Sequence, residues 1–319
     1  MYFSQRLFCI LLALIGLTPT MTLAVDLMHL IIVADTLDKG IGADVDVANI
    51  QKLATKIKQA TCLEVKPTVI DGGSVKPEGD GYEKVKNAIS QLSVNSNDVV
   101  FFYYSGHGTN LGNGSRWPSL GVEGQRTPRS KLLGLEWVKN QLENKQPRLF
   151  IAMADACNVF PSPRGSSRTR QVEQPGGYRK LFLSYKGSIV ASSSIPDQYS
   201  FGDPQHGGYF TQQFLTSLNE ALAGEPDWKN IMDQATTPIP VDDKQGTQTP
   251  QAEVKVELIN RSYRRDPEKW NCPSAGIPAS IKLDDEQPQK NTCAQAQYHE
   301  KNGQKCCWDR HGTERCFNW

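Results

Sequence analysis

What this sequence lacks narrows its function before any motif is read. Charge imbalance is missing: 35 Lys and Arg stand against 34 Asp and Glu, which leaves no electrostatic handle for nucleic acid or for an acidic membrane surface. Long apolar runs are missing as well. The run from Leu7 to Leu17 falls well short of the ~20 apolar residues a spanning helix needs, and no later segment is apolar enough to cross a bilayer. Zinc-ligand spacing is also absent, since the adjacent pair Cys306-Cys307 has only His299 and His311 for company. The remaining composition, 38% hydrophobic and 22% charged, is that of a soluble globular protein.

Met1–Ala24 reads as a secretory signal, with Arg6 before the apolar run and Thr22-Leu23-Ala24 supplying small residues at the cleavage positions. Cleavage after Ala24 removes Arg6 and leaves 34 basic against 34 acidic residues (35 − 1 = 34). The expected location is secreted or periplasmic, an oxidising compartment. Of eight cysteines, Cys9 leaves with the signal. If Cys157 is kept as a free thiol, Cys62 and the tail residues Cys272, Cys293, Cys306, Cys307 and Cys316 form an even set whose pairing the count leaves open. One bridge can tie the tail to the main domain through Cys62.

Periodicity organises the middle of the chain. Met28–Ala34 is a strand candidate, and Val47–Ile57 carries Val47, Ile50, Leu53, Ala54 and Ile57 at helical spacing. Glu64–Ile70, Tyr82–Leu92, Val99–Tyr104, Leu133–Leu142 and Leu149–Ala154 continue the alternation of strand and helix that a covered parallel sheet requires. Gly187–Ser193, Tyr209–Ala223 and Gln251–Asn260 add a strand, an amphipathic helix and a final strand. Two stretches break the pattern. Asn110–Ser130, rich in Gly and Pro, reads as a substrate-wall loop beside a catalytic residue, and Asn158–Lys180 reads as a second loop carrying Arg164, Arg168, Arg170, Arg179 and Lys180. From Ser262 onward the chain loses periodicity. The expected layout is a signal at 1–24, a catalytic domain at 25–262 and a Cys-rich tail at 263–319.

Two apolar runs end abruptly on chemically capable residues: Val99–Tyr104 runs into Ser105-Gly106-His107-Gly108, and Leu149–Ala154 into Asp155-Ala156-Cys157. As buried parallel strands they deliver His107 and Cys157 to the carboxyl edge of one sheet, where open α/β sheets bind ligands. A Cys and a His brought together there suffice for acyl transfer, because an imidazole can manage the thiol proton. The His lies upstream of the Cys by 157 − 107 = 50 residues, the order and approximate spacing of caspases.

At these residues the chain resembles the caspase and metacaspase group of cysteine peptidases. Ser105-Gly106-His107-Gly108 matches the histidine motif and Asp155-Ala156-Cys157 the cysteine motif. Asp46 with the helix after it matches the segment following the first strand, and Ile189–Ser194 with Gly207-Gly208-Tyr209-Phe210-Thr211 matches a later strand and helix start. The resemblance covers Leu27–Asn260. It implies a caspase-like three-layer α/β/α sandwich on a mainly parallel six-stranded sheet, to which the small disulfide-rich tail is appended. It also implies Cys157 as nucleophile, His107 as its acid-base partner, and an oxyanion site from the backbone N–H groups of Gly108 and Cys157.

Specificity follows from the residue two places before the nucleophile. Caspases carry Gln there and accept Asp substrates, whereas metacaspase-like members carry an Asp implicated in binding Arg or Lys. Asp155 therefore implies a basic residue before the cut, paired by charge-assisted hydrogen bonds, with Asp46 as the second acidic position, although Asp44 is a close rival. The chain departs from the metacaspase pattern after the nucleophile, where Asn158-Val159-Phe160-Pro161 replaces His-Ser-Gly. No cofactor is implied, and no run after Ile189 matches the calcium segment of some metacaspases, Asp197 and Asp203 being the acidic residues of that loop. Protein or peptide substrates are the expected partners, and the arginines of Asn158–Lys180 invite self-processing. The alternatives are a catalytically inactive member of the fold, or a binding protein working through its Cys-rich tail with Trp270, Trp308 and Trp319.

Overall fold

The computed structural model describes residues 26–72, 81–124, 127–158, 175–241 and 246–259, together with three short strands between 299 and 317. The chain divides into two compact units, Met1–Arg264 and Arg265–Trp319. The first is built on six strands: β1 (Leu27–Ala34), β2 (Glu64–Asp71), β3 (Val99–Ser105), β4 (Leu149–Asp155), β5 (Tyr185–Ser192) and β6 (Gln251–Leu258). Their order is β6-β5-β4-β3-β1-β2. All neighbours run parallel except β6, which is antiparallel to β5. Among the described residues six α-helices accompany them: α1 (Ala43–Thr61), α2 (Gly81–Ser90), α3 (Leu135–Asn144), α4 (Pro175–Leu183), α5 (Tyr209–Leu222) and α6 (Trp228–Ala235). This is the α/β architecture with a mainly parallel six-stranded sheet that the sequence predicts.

Every residue of β3 and β4 is buried, as central strands covered on both faces must be. Their side chains alternate between the two faces. Val100, Phe102, Tyr104, Phe150, Ala152 and Ala154 join one core cluster with Val85 and Ile89 of α2 and Val138 and Leu142 of α3. The other set turns toward α1 and α5, where the Tyr103 hydroxyl meets Thr211 Oγ1 at 2.6 Å. Truncating a buried aromatic such as Phe102 costs about 3–5 kcal/mol. That is a large share of the ~5–15 kcal/mol by which a domain is stable, so this layer holds the sheet edge in place.

Helix α1 buries Ala43, Asp46, Ile50, Leu53, Ala54, Ile57 and Ala60. The apolar stripe is thus entered one residue earlier than its sequence suggests, through Asp46 rather than Val47. Asp44 turns outward and pairs with Lys39 at 2.7 Å. Period alone decides between the two aspartates, since 46, 50, 53 and 57 share one helical face.

Four expectations need correction. The end of the stretch Asn158–Lys180 is helical, because Pro175 opens α4, which buries Tyr178, Leu181 and Phe182; Arg179 and Lys180 lie in that helix, proline at a first helical position is favourable, and 159–174 lie outside the described residues. Helix α6 went unread, although Asp227 caps it by accepting from the Asn230 N–H at 3.1 Å. The stretch Asn110–Ser130 is less irregular than its glycines and prolines suggest: Trp117, Leu120 and Val122 enter the core, and Gly108-Thr109, Ser119-Leu120 and Leu133-Gly134 form a small antiparallel sheet. That pairing draws Leu133 out of α3. The second unit contains an antiparallel meander of β7 (His299–Lys301), β8 (Gln304–Trp308) and β9 (Glu314–Phe317), strands too short and polar to show a period. The signal Met1–Ala24, the arginines 164, 168 and 170, and the pairing of the tail cysteines lie outside the described residues.

Candidate active site

Adjacent parallel strands set the geometry of the sheet's carboxyl edge. Ser105 of β3 stands in register with Asp155 of β4, so His107 and Cys157 each lie two residues beyond the same rung. The Gly106 N–H donates to the Asp155 carbonyl at 3.1 Å, which extends the ladder past the strand ends. Gly108 then packs directly on the cysteine's backbone. A Cβ at 108 would stand 2.6 Å from the Cys157 carbonyl oxygen and 2.7 Å from the Ala156 Cβ, closer than any side chain tolerates, so glycine is required there. The His107 carbonyl is pinned by the Tyr104 hydroxyl at 2.6 Å and the Gly121 N–H at 2.8 Å.

The sulfur and the imidazole have separate partners. Cys157, the free cysteine among the described residues, directs its thiol at the Ser200 carbonyl at 3.4 Å and receives the Ser200 N–H at 3.4 Å. Burial pushes this thiol above its ordinary value, the Ser200 N–H pulls it down, and the Asp155 carboxylate raises it again. Cys157 therefore rests as a thiol, because an anionic sulfur beside a carboxylate in a dry site is disfavoured. His107 Nε2 faces Asp38 Oδ2 at 2.9 Å, with Asp35 Oδ2 at 4.0 Å. Among the described residues no hydrogen bond links His107 to Cys157 in this structure.

Beneath the thiol lies a second cluster, built by the face of β3 and β4 that looks toward α1 and α5. Asp155 accepts from the Thr211 N–H at 2.9 Å and hydroxyl at 2.8 Å, and from the Ser200 hydroxyl at 2.7 Å. Thr211 lies in the first turn of α5, so the carboxylate of β4 satisfies a helix N-terminus from outside the helix. Asp46 accepts from the Ser105 hydroxyl at 2.7 Å and from the Gly208 N–H at 3.0 Å. Burial pushes both carboxyls above their ordinary values; their mutual repulsion adds to the rise at Asp46, and the hydrogen bonds oppose it. Neither carboxylate has a cationic partner among the described residues.

Two glycines let these carboxylates sit where they do. At Gly207, φ is +86° and a Cβ would come within 2.0 Å of Asp46 Oδ1; at Gly208 a Cβ would come within 2.1 Å of Asp155 Oδ2. Gly207-Gly208 was read only as part of a motif. Its physical role is to bring the chain against two acidic side chains at once.

Asn158, the first residue of the departure from His-Ser-Gly, is held from several sides. It is fully buried; its amide donates to the Arg116 carbonyl at 3.0 Å and the Ser194 carbonyl at 3.2 Å, and its side-chain oxygen accepts from Asn110 at 3.2 Å. Its backbone exchanges bonds with Gln198 and Asp197. One residue thus ties the cysteine to the loop after His107 and to the loop after β5. Asp38, Ser200 and Asn158 were all missed as site residues, since none lies in a spaced motif. Asp197 and Asp203 form no cluster with a third ligand: among the described residues, no group of three or more His, Cys, Asp or Glu is arranged to hold a metal ion. No helix among them is long and apolar enough to cross a membrane. A cleft of about 960 Å³ lined by Arg148, Lys186 and Val256 opens at the opposite end of the sheet and contains none of these groups.

The family model of the caspase domain matches residues 30–257, which include both strand ends and both aspartates. Among solved structures, caspase-1 from Spodoptera frugiperda is similar at 15% identity with a TM-score of 0.47, over 72% of this chain and 86% of that one. No curated protein sequence matches.

Proposed function

Since this chain belongs to the caspase-domain family of cysteine peptidases, we propose that it cleaves peptide bonds after Arg or Lys, with Cys157 as nucleophile and His107 as general base. The observation that carries the specificity is the pair of buried carboxylates without a cationic partner among the described residues, Asp46 and Asp155, the second of which acts on the Cys157 thiol. Buried charge of one sign is costly until a counter-charge arrives. A substrate guanidinium or ammonium supplies it, and binding energy is concentrated next to the reacting bond. Asp46 is completely buried and Asp155 slightly exposed, so Asp155 is the carboxylate that touches substrate. Asp46 fixes Gly208 and contributes charge.

The reaction begins from the neutral thiol. His107 takes the Cys157 proton as the sulfur attacks the scissile carbonyl carbon, and the N–H groups of Gly108 and Cys157 receive the oxyanion. Collapse expels the amine, which takes the proton from His107 and leaves an S-acyl enzyme. A water molecule, deprotonated by His107, attacks the acyl carbon, and the thiol leaves with the returning proton.

Export through cleavage after Ala24 belongs to the same proposal, supported by Cys62, which is disulfide-bonded. Self-processing within residues 159–174 belongs to it too, through the arginines Arg164, Arg168 and Arg170 that Asp155 would select. The test is hydrolysis of matched peptides with Arg, Lys, Asp or Asn before the cut, by wild type and by Cys157→Ala. Activity on Arg and Lys peptides that is lost in Cys157→Ala is expected. Preference for Asp peptides would overturn the specificity, and equal signals from both proteins would overturn the peptidase.

A further inference from the structure

His107 has a carboxylate partner of its own, and it lies on neither motif. Asp38, in the loop between β1 and α1, places Oδ2 2.9 Å from His107 Nε2. Its other oxygen accepts the Gly40 N–H at 2.9 Å, and its carbonyl accepts the Ile41 N–H at 3.3 Å, so a tight turn holds the carboxylate in one orientation. Asp35, at the end of β1 and buried, sets a second negative charge 4.0 Å from the same nitrogen.

We propose that Asp38 is a positioning residue for the reaction, completing an Asp38-His107-Cys157 relay in which the carboxylate selects the histidine tautomer. This rests on the peptidase reading above. An ionised carboxylate only accepts hydrogen bonds, so Nε2 must carry the proton in the neutral ring. The lone pair is then on Nδ1, the nitrogen with no protein partner among the described residues. Without such a partner a neutral imidazole divides itself between two tautomers and turns about its side-chain bonds. With Asp38 in place the basic nitrogen is the one left open, and the imidazolium formed when Cys157 gives up its proton meets two carboxylates. Every proton that His107 exchanges, with the sulfur, the leaving amine and the attacking water, passes through Nδ1, while the Nε2 proton stays where it is, on the side of Asp38.

A general base supplies about 10²–10⁴ in rate. Removing Asp38 leaves His107 pinned through its backbone and loosens only its ring, so the expected loss in kcat is at the lower end, about tenfold to hundredfold, with KM within about twofold. The experiment compares Asp38→Ala with Lys39→Ala, a substitution in the same loop whose exposed ion pair with Asp44 touches no site residue. Two readouts are taken: kcat and KM on an Arg peptide, and the ¹⁵N chemical shifts of the His107 ring, which distinguish an Nε2–H from an Nδ1–H imidazole. The expected result is an Nε2–H signature in wild type and Lys39→Ala, a mixed signature in Asp38→Ala, and a kcat loss confined to Asp38→Ala. An unchanged ring signature in Asp38→Ala, or a kcat loss equal in both variants, overturns the relay. The altered ring signature in a protein whose wild type cleaves no peptide overturns the peptidase reading and leaves the pairing standing.

Discussion

Replacing Gly208 by alanine isolates the contribution of carboxylate placement from every other property of the site. The backbone at 208 is extended, at φ −66° and ψ 142°, a conformation alanine adopts freely. Any effect therefore comes from the added methyl group alone. That methyl would stand 2.1 Å from Asp155 Oδ2 and 2.5 Å from its Cγ. Ordinary contact begins near 3.4 Å, so the carboxylate must withdraw by about 1.3 Å (3.4 − 2.1). It has nowhere to go without breaking bonds to Thr211 or Ser200. Overpacking of this kind costs about 1–3 kcal/mol, and each kcal/mol lowers the melting temperature of a domain this size by roughly 2–4 °C. The catalytic cost is larger, since a displacement of ~1 Å in a positioning group is worth about 10²-fold in rate. Gly208→Ala is thus expected to fold, to melt several degrees early and to lose about two orders of magnitude in kcat/KM on Arg peptides. Alkylation of Cys157 by iodoacetamide, which needs no substrate pocket, should proceed at the wild-type rate. Retention of Arg-peptide activity within about threefold would falsify the assignment of Asp155 to the substrate.

Other consequences can be checked in the same preparations. Asp155→Ala should lose about 3–5 kcal/mol of substrate interaction, roughly 10²–10⁴ in kcat/KM on Arg peptides, and should discriminate little between Arg and uncharged peptides. Asp46→Asn should stabilise the fold at neutral pH while reducing activity. Burial raises the Asp46 carboxyl above its ordinary 3.8, so its ionisation opposes folding: the penalty is absent below that value and develops as pH rises through the folded-state value. The melting-temperature gain of Asp46→Asn over wild type should accordingly grow with pH, and a gain independent of pH refutes the account. The Cys157 thiol, raised by burial, should react with iodoacetamide slowly at neutral pH and accelerate above the range of an ordinary cysteine; rapid alkylation at pH 6 would show a resting thiolate instead.

The sheet was legible because its central strands are continuous apolar runs that stop at Ser105 and Asp155, and a residue two places beyond a buried strand has only one edge to occupy. Asp46 was legible through the family resemblance, with Asp44 as its rival, and the helical period carried back one turn from Ile50 separates the two. What escaped reading shares a different property. Asp38, Ser200 and Asn158 act through contacts between segments distant in sequence, such as the 69 residues between Asp38 and His107, and no local pattern records such a contact. Helix α4 escaped because Pro-Gly-Gly opens it, residues that signal a loop unless Tyr178, Leu181 and Phe182 are seen to share a buried face. Trp117, Leu120 and Val122 were hidden among glycines for the same reason: core membership depends on what the sheet leaves uncovered.

The burial of Asn158 has a bearing on how the chain tolerates being broken. Its bonds reach Arg116, Ser194, Asn110 and Gln198, so the position of Cys157 is fixed by residues on both sides of it in space. On the far side, α4 is moored independently, with the Arg179 guanidinium donating to the Ala60 carbonyl at 2.6 Å and Lys180 held by Glu225. Strands β4 and β5 remain hydrogen-bonded neighbours whatever joins them. A molecule cut between 158 and 175, as the proposed self-processing would cut it, is accordingly expected to hold together: these bonds and the shared sheet join the two polypeptides, and native mass measurement of a cut sample should find both pieces in one particle.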